Sequence, residues 1–171
     1  MSTPSLFVTE LDTPAGAIVF ARRGERLVAL SFKDHWPRLL GELERRFGAL
    51  ELTPDVNGGS PGRALRRYLG GDLGALDALE VDTEGTPFQE RVWSRLRRIP
   101  AGATLSYAEL ARAIGKPSAV RAVAGANARN PVSVVVPCHR VIASDGKLAG
   151  YGGGVPRKRW LLAHEGALLI G

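Results

Sequence analysis

Cysteine is nearly absent from this chain: its 171 residues contain one, Cys138. That excludes an internal disulfide framework and any cysteine-rich zinc site, and it fits a reducing compartment. Histidine is scarce too, with three residues, and the first half holds neither paired histidines nor a carboxylate cluster at ligand spacing. No metal and no cofactor is therefore expected. Apolar runs are short, and none approaches the roughly 20 residues of a membrane span. The stretch Met1–Glu10 lacks a basic region followed by an apolar core, so neither a signal peptide nor a membrane partner is expected, and the expected location is cytoplasmic. Acidic residues are in the minority, 17 against 23 Lys and Arg, for a formal charge of +6. That balance favours a polyanionic partner, nucleic acid first. The basic residues are scattered rather than gathered in a tail, so folding must assemble any binding face.

What is present divides into two blocks. Ser5–Leu11 reads as a strand, followed by a Thr13-Pro14-Ala15-Gly16 turn. Ala17–Arg22 and Arg26–Phe32 are apolar, β-branched runs around Gly24-Glu25, which is a hairpin pattern. Asp34 is placed to cap a helix from His35 to Phe47, with Trp36, Leu39, Leu40, Leu43 and Phe47 on one face. A loop at Pro54–Gly62 and a helix from Arg63 to Leu69 follow, closed by Gly70-Gly71. The acidic stretch 71–85 reads as a linker. Strands and helices in separate blocks define an α+β unit, expected to serve as a scaffold domain over residues 1–84.

Residues 85–171, the expected second domain, are more helical and better punctuated. Thr86-Pro87-Phe88-Gln89 and Ser106-Tyr107-Ala108-Glu109 are capping boxes, each opening a helix. The second helix closes at Gly115, and Ser118 is placed to cap a third, Ala119 to about Asn127. Two short helices around a glycine-containing turn form a helix-turn-helix pattern, compatible with tight helix packing or with DNA reading. The later helix is rich in small residues, Ala122, Ala124, Gly125, Ala126 and Ala128, interrupted by Arg121 and Arg129, so it can lie close to another surface.

The stretch Asn130–Val141 organises the rest. Val132–Val136 reads as a short buried strand between prolines, and Pro137 should turn the chain to present Cys138 at the strand end. A thiol there with His139 adjacent is a nucleophile arrangement; the alternative is a small buried hydrophobe. Adjacent side chains of extended chain point apart, so a Cys138–His139 contact needs that turn or a bridging water. Val141–Leu148 reads as strand and turn, Gly150–Gly154 as a loop suited to close backbone approach with Tyr151 as a wall, and Pro156–Glu165 as the last helix. A carboxylate at that helix's C-terminus opposes the dipole, a sign that Glu165 has a partner.

From about Thr86 to Gly166 the sequence closely resembles the O6-alkylguanine-DNA alkyltransferases. The resemblance rests on Pro137-Cys138-His139-Arg140-Val141, with Asn130-Pro131 upstream and Leu161-Leu162-Ala163-His164-Glu165-Gly166 downstream. It implies an N-terminal domain with an antiparallel, ribonuclease H-like sheet and a mostly helical C-terminal domain with a winged-helix-like helix-turn-helix. It also implies a monomeric, cofactor-free suicide methyltransferase. Such a protein binds double-stranded DNA in the minor groove, flips the alkylated guanine out and transfers the alkyl group irreversibly to its own cysteine; O4-alkylthymine is a further candidate substrate. By resemblance Cys138 is the alkyl acceptor, His139 its base through water and Glu165 the carboxylate orienting that histidine. Asn130 is the hinge asparagine. Tyr107 helps rotate the nucleotide and Arg121 fills the vacated space, with Gly125 and Arg129 on the same DNA-facing helix. Val141 would read the guanine amino group through its carbonyl, and Tyr151, Gly152 and Gly153 would line the pocket.

Departures are informative. Gly152 stands where some members carry serine, leaving only a backbone contact to the alkylated oxygen, and Ser133 stands where some relatives have proline. Two other classes are consistent with parts of the pattern. A pure DNA-binding protein would use the helix-turn-helix and ignore Cys138, and a Cys–His–Glu hydrolase would turn over an ester or amide.

Overall fold

The computed structural model describes residues 3–148 and 150–167. The chain divides into two compact units, Met1–Thr83 and Glu84–Gly171.

The first unit is built on a four-stranded sheet of order β3-β2-β1-β4, comprising β1 (Ser5–Leu11), β2 (Ile18–Arg23), β3 (Arg26–Phe32) and β4 (Glu51–Pro54). The first three form the expected antiparallel meander, with Thr9 opposite Phe20 and Phe20 opposite Leu30. The sheet is not wholly antiparallel, because β4 pairs with β1 in parallel, Leu6 beside Leu52. Sequence pattern missed β4: four residues ending in proline carry almost no periodicity. Its Pro54 sits on an edge strand, where a missing N–H costs no ladder bond.

Helix α1 (Trp36–Phe47) lays Leu39 and Leu43 onto a core of Leu6, Ala21, Val28 and Ala29. Asp34 does not cap it. Lys33–His35 form a 3-10 turn that carries the chain into the helix, and Asp34 lies inside that turn. Helix α2 (Gly59–Leu69) begins four residues earlier than the sequence suggests and buries Ala64, Leu65 and Tyr68. Its start follows Gly58 at φ 79, where a Cβ would stand 2.7 Å from the Phe20 ring. Phe20 and Ala21 point to opposite faces, so both faces of the sheet are covered. This is why β2 and β3 show apolar runs rather than alternation.

The acidic stretch is not a free linker. Leu76 and Leu79 are buried, and Val81 forms a bridge with Leu27, whose N–H donates to Glu80 O while Asp82 N–H donates to Leu27 O. The acidic side chains mask two apolar anchors spaced three apart.

In the second unit, α3 (Pro87–Leu96) opens with a complete capping box: Thr86 Oγ1 accepts from Gln89 N–H and Gln89 Oε1 from Thr86 N–H. It buries Val92, Trp93 and Leu96, and Trp93 Nε1 donates to Ala126 O at 2.8 Å, fixing α3 against α5 (Val120–Ala128). Strand β5 (Leu105–Ser106) runs straight into α4 (Tyr107–Ala113) through the second capping box, Ser106 with Glu109. Gly115, at φ 75, ends α4 with bonds from its N–H to Arg112 O and from Lys116 N–H to Ala111 O, a Schellman arrangement. Ser118 does not cap α5, whose N-cap is Ala119 with no side-chain bond. Strand β6 (Val141–Ile142) is shorter than expected and pairs in parallel with β5; α6 (Val155–His164) closes the unit. Among the described residues no helix is long and apolar enough to cross a membrane.

Candidate active site

The largest correction falls at the site itself. Val132–Val136 is not a strand: it is a tight loop in which Val136 N–H donates to Val132 O and Val135 N–H to Ser133 O. Val134 holds φ 72, an uncommon conformation for a β-branched residue. Asn130 supplies the bonds a sheet would have supplied, its Oδ1 accepting from Val132 N–H at 2.9 Å and its Nδ2 donating to Val136 O at 2.7 Å. One amide thus ties both ends of the loop. The valines are buried, and apolar content alone does not separate such a loop from a strand.

Cys138 therefore sits at the start of a 3-10 turn, Cys138–Arg140, rather than at a strand end. Cys138, His139 and Arg140 are all buried. The turn leads directly into β6, while β5 leads directly into Tyr107. Pairing of the two short strands (Leu105 beside Val141, Ser106 beside Ile142) therefore brings the first turn of α4 alongside the thiol. Asn127 of α5 donates from Nδ2 to Cys138 O at 3.4 Å.

Behind the thiol is a buried charged cluster. His139 Nε2 lies 2.9 Å from Glu165 Oε2. Arg140 clasps the same carboxylate with both prongs, Nε to Oε1 and Nη2 to Oε2, each at 2.8 Å, and donates from Nη1 to Ile99 O at 2.6 Å. The partner inferred for Glu165 is thus two partners. Lys158 of α6 has no exposed surface and donates from Nζ to Val141 O at 2.5 Å. Sequence reasoning assigns no role to Arg140, Lys158 or Asn127. For Arg140 a signal existed, because a carboxylate at a helix C-terminus needs a cation. Lys158 lies in Arg157-Lys158-Arg159, which reads as a solvated basic face.

Protonation states follow from this burial. Burial pushes the Cys138 thiol up, against opposing contributions from hydrogen bonds with Asn130 and Ser133 and from the Lys158 charge. Burial pushes the His139 imidazole down, with Glu165 pulling the other way. Burial alone would raise Glu165, but hydrogen bonds from Arg140 and His139 outweigh it and hold the carboxyl well below its usual range. Lys158 is lowered to about 8 by burial, opposed by the nearby Cys138. Tyr107 is raised by burial and by Cys138, and is hydrogen-bonded to Asn127. The set is a protonated thiol next to a neutral imidazole that is anchored on an ionised carboxylate. With Nε2 committed to Glu165, Nδ1 is the ring nitrogen left to take a proton, and it has no hydrogen-bond partner among the described residues.

The other expected residues fall into two groups. In the first group, Tyr107 and Tyr151 are half-buried, Gly152 is exposed and Gly153 is half-buried with its carbonyl accepting from Arg157. A Cβ on Gly150 would stand 3.2 Å from Tyr107 Oη, so this loop passes against the tyrosine. A Cβ on Gly152 would meet nothing within 4 Å, so the serine of some relatives would fit. On α5, Val123, Ala126 and Asn127 face inward, while Arg121, Ala122, Ala128 and Arg129 are exposed and Gly125 is half-buried. Arg121 and Arg129 therefore share a surface lined by small side chains.

A buried thiol backed by an imidazole–carboxylate pair is the equipment of a protein that reacts through cysteine. Residues 87–167 match the family described as 6-O-methylguanine DNA methyltransferase, DNA binding domain. The chain is 43% identical over 168 residues to the methylated-DNA–protein-cysteine methyltransferase of Shigella flexneri, covering 96% of this chain and 98% of that protein. Its fold is similar to that of Mycobacterium tuberculosis OGT crystallised in complex with DNA, with TM-score 0.79 and 39% identity over 94% of this chain and 92% of that one. It is also similar to the O6-methylguanine-DNA methyltransferase of Pyrococcus kodakaraensis, with TM-score 0.73 and 29% identity over 95% and 99% of the two chains. The chain belongs to the methylated-DNA–protein-cysteine methyltransferase family.

Proposed function

We propose that this protein repairs alkylated DNA by taking the alkyl group of O6-alkylguanine onto Cys138, once per molecule. The observation that carries the proposal is the buried Cys138–His139–Glu165 arrangement in a chain of this family. Double-stranded DNA lies with its minor groove on the exposed face of α5, where Ala122, Gly125 and Ala128 permit close approach and Arg121 and Arg129 meet phosphates or the opened stack. In this assignment α4 and α5 act as a helix-turn-helix of winged-helix type, and the first unit is a ribonuclease H-like scaffold. The target base cannot react inside the duplex, so it is flipped out. Tyr107 assists the rotation, and Arg121 occupies the space left behind. The base enters beside Tyr107, Val141 and the Tyr151–Gly153 loop, with the Val141 carbonyl facing its amino group.

A thiolate, not a thiol, attacks. Because burial keeps Cys138 protonated, its proton must leave during the reaction: through a water to His139 Nδ1, with Glu165 stabilising the imidazolium. The Sγ–C bond forms as the C–O6 bond breaks, and the electron pair leaves with the guanine. The Tyr107 hydroxyl is the donor placed to stabilise that anion, which finally recovers the proton. The thioether has no hydrolytic exit, so the protein is consumed. It needs no cofactor, acts as a monomer and works in the cytoplasm.

The deciding measurement is intact mass after mixing with duplex DNA containing O6-methylguanine, followed by peptide mapping. One methyl group per protein, on the peptide carrying Cys138, is expected. An unmodified protein that still binds the duplex would overturn the assignment.

A further inference from the structure

A second cationic feature lies away from the thiol. The side of α3 away from Val92, Trp93 and Leu96 carries Arg91 and Arg95, and the turn that follows the helix adds Arg98. Together with Ser94, Glu90 and the end of α4 (Ala113, Ile114), they line a groove of about 420 Å³. Arg91 Nη2 donates to Ile114 O at 2.5 Å, which fixes the groove against the turn between α4 and α5. The Arg95 Nη1 group is buried and has no hydrogen-bond partner among the described residues. The one carboxylate, Glu90, accepts from Gly85 N–H at the start of α3. A groove lined by three guanidinium groups, with its one carboxylate already engaged, suits an oxyanion.

We infer that this groove holds a phosphodiester of the duplex backbone flanking the lesion. The inference rests on the DNA-binding assignment above and deepens it. The groove adjoins the turn that precedes α5. In helix-turn-helix proteins the helix before the recognition helix crosses the backbone. A phosphate strand leaving the α5 face on that side therefore meets Arg95 and Arg98 next. Such contacts carry no sequence information; they set register and make affinity depend on salt.

The test is the salt dependence of binding to an unmodified duplex, measured for the full chain, for R95Q/R98Q and for R38Q. Arg91 is left in place because it closes the end of α4. Arg38, 82% exposed on the first unit, gives the change in slope for one surface charge removed away from the groove. The double variant should lower the slope of log Kd against log salt by roughly 0.9 for each phosphate that the groove no longer neutralises, with no comparable change in R38Q. Its methylation by the free O6-methylguanine base should remain at the wild-type rate, which shows that the fold and the thiol site are intact. A slope equal to that of R38Q would overturn the inference. So would inorganic phosphate binding that the double variant loses while its duplex slope stays unchanged, since the groove would then serve a small anion. Failure of the wild-type chain itself to bind duplex would bring down the DNA assignment first.

Discussion

The two units treat charge in opposite ways. In the first, ion pairs sit at the surface or half-buried at its edge: Arg26–Glu80 has side chains 64% and 70% exposed and Lys33–Glu10 is similar, while Arg22–Asp55 and Arg46–Asp82 are half-buried and none is fully enclosed among the described residues. Its buried polar residues are only Thr9 and Ser31 among those described. In the second, His139, Arg140, Lys158 and Glu165 are all buried and interconnected around one turn of chain. Surface pairs contribute about 0–1 kcal/mol, whereas burying charges costs several kcal/mol per ion before the pairing is counted. A stability argument explains the first unit. It does not explain the second, where apolar residues of similar volume would serve folding as well. The proposed function gives those charges a use.

That contrast can be broken most directly by removing one carboxylate from each unit. Glu165→Ala should destabilise the protein by about 3–5 kcal/mol, because it strands Arg140 in the interior, and it should abolish methyl transfer. Glu80→Ala should cost about 0–1 kcal/mol and leave transfer intact. Denaturant melts and intact-mass assays on both variants decide the point; equal losses would erase the distinction between the units.

Acid sharpens it further. His139 and Glu165 both have lowered values in the folded state, so the unfolded chain binds more protons. Their stabilisation is fully present above the ordinary values, near 6.5 and 4.5, and is lost as pH falls below each. Hydrogen exchange followed from pH 7 to pH 4 should therefore show the second unit opening first. In His139→Gln the loss beginning near pH 6.5 should disappear.

Asn130→Ala should cost about 1–3 kcal/mol, since it leaves the Val132 N–H unpaired in a largely buried loop and leaves the Val136 carbonyl with Cys138 N–H as its one remaining donor. Thermal melts measure this, and slower methyl transfer should accompany it as the turn carrying Cys138 loosens. The smallest difference separates two residues that look alike in sequence. Thr86→Ala should cost about 1 kcal/mol, as loss of a working cap does, whereas Ser118→Ala should be silent because Ser118 does not cap α5.

How much could be read in advance followed the range of the interactions. Both genuine capping boxes were legible because all their partners lie within four residues. The meander was legible because Gly24-Glu25 joins two β-branched runs. Val132–Val136 misled for the same reason that it is buried: five apolar or small residues describe an interior, not a conformation, and the left-handed Val134 has no local signature. At the site, Cys138, His139 and Glu165 were legible through the family pattern. Lys158 was not, because its partner Val141 lies 17 residues away and its neighbours Arg157 and Arg159 make it look like part of a basic face; Arg140 could be sought only through the need of Glu165 for a cation.

Cys138 is 6% exposed, and burial holds its thiol in the protonated form. For a reagent that works once, this amounts to a long shelf life. Soluble oxidants and stray electrophiles meet a thiol that is hard to reach and weakly nucleophilic at rest. In the proposed reaction, selectivity for the lesion then comes from access: the flipped base would bring its own alkyl carbon to the sulfur, and few other electrophiles are delivered there.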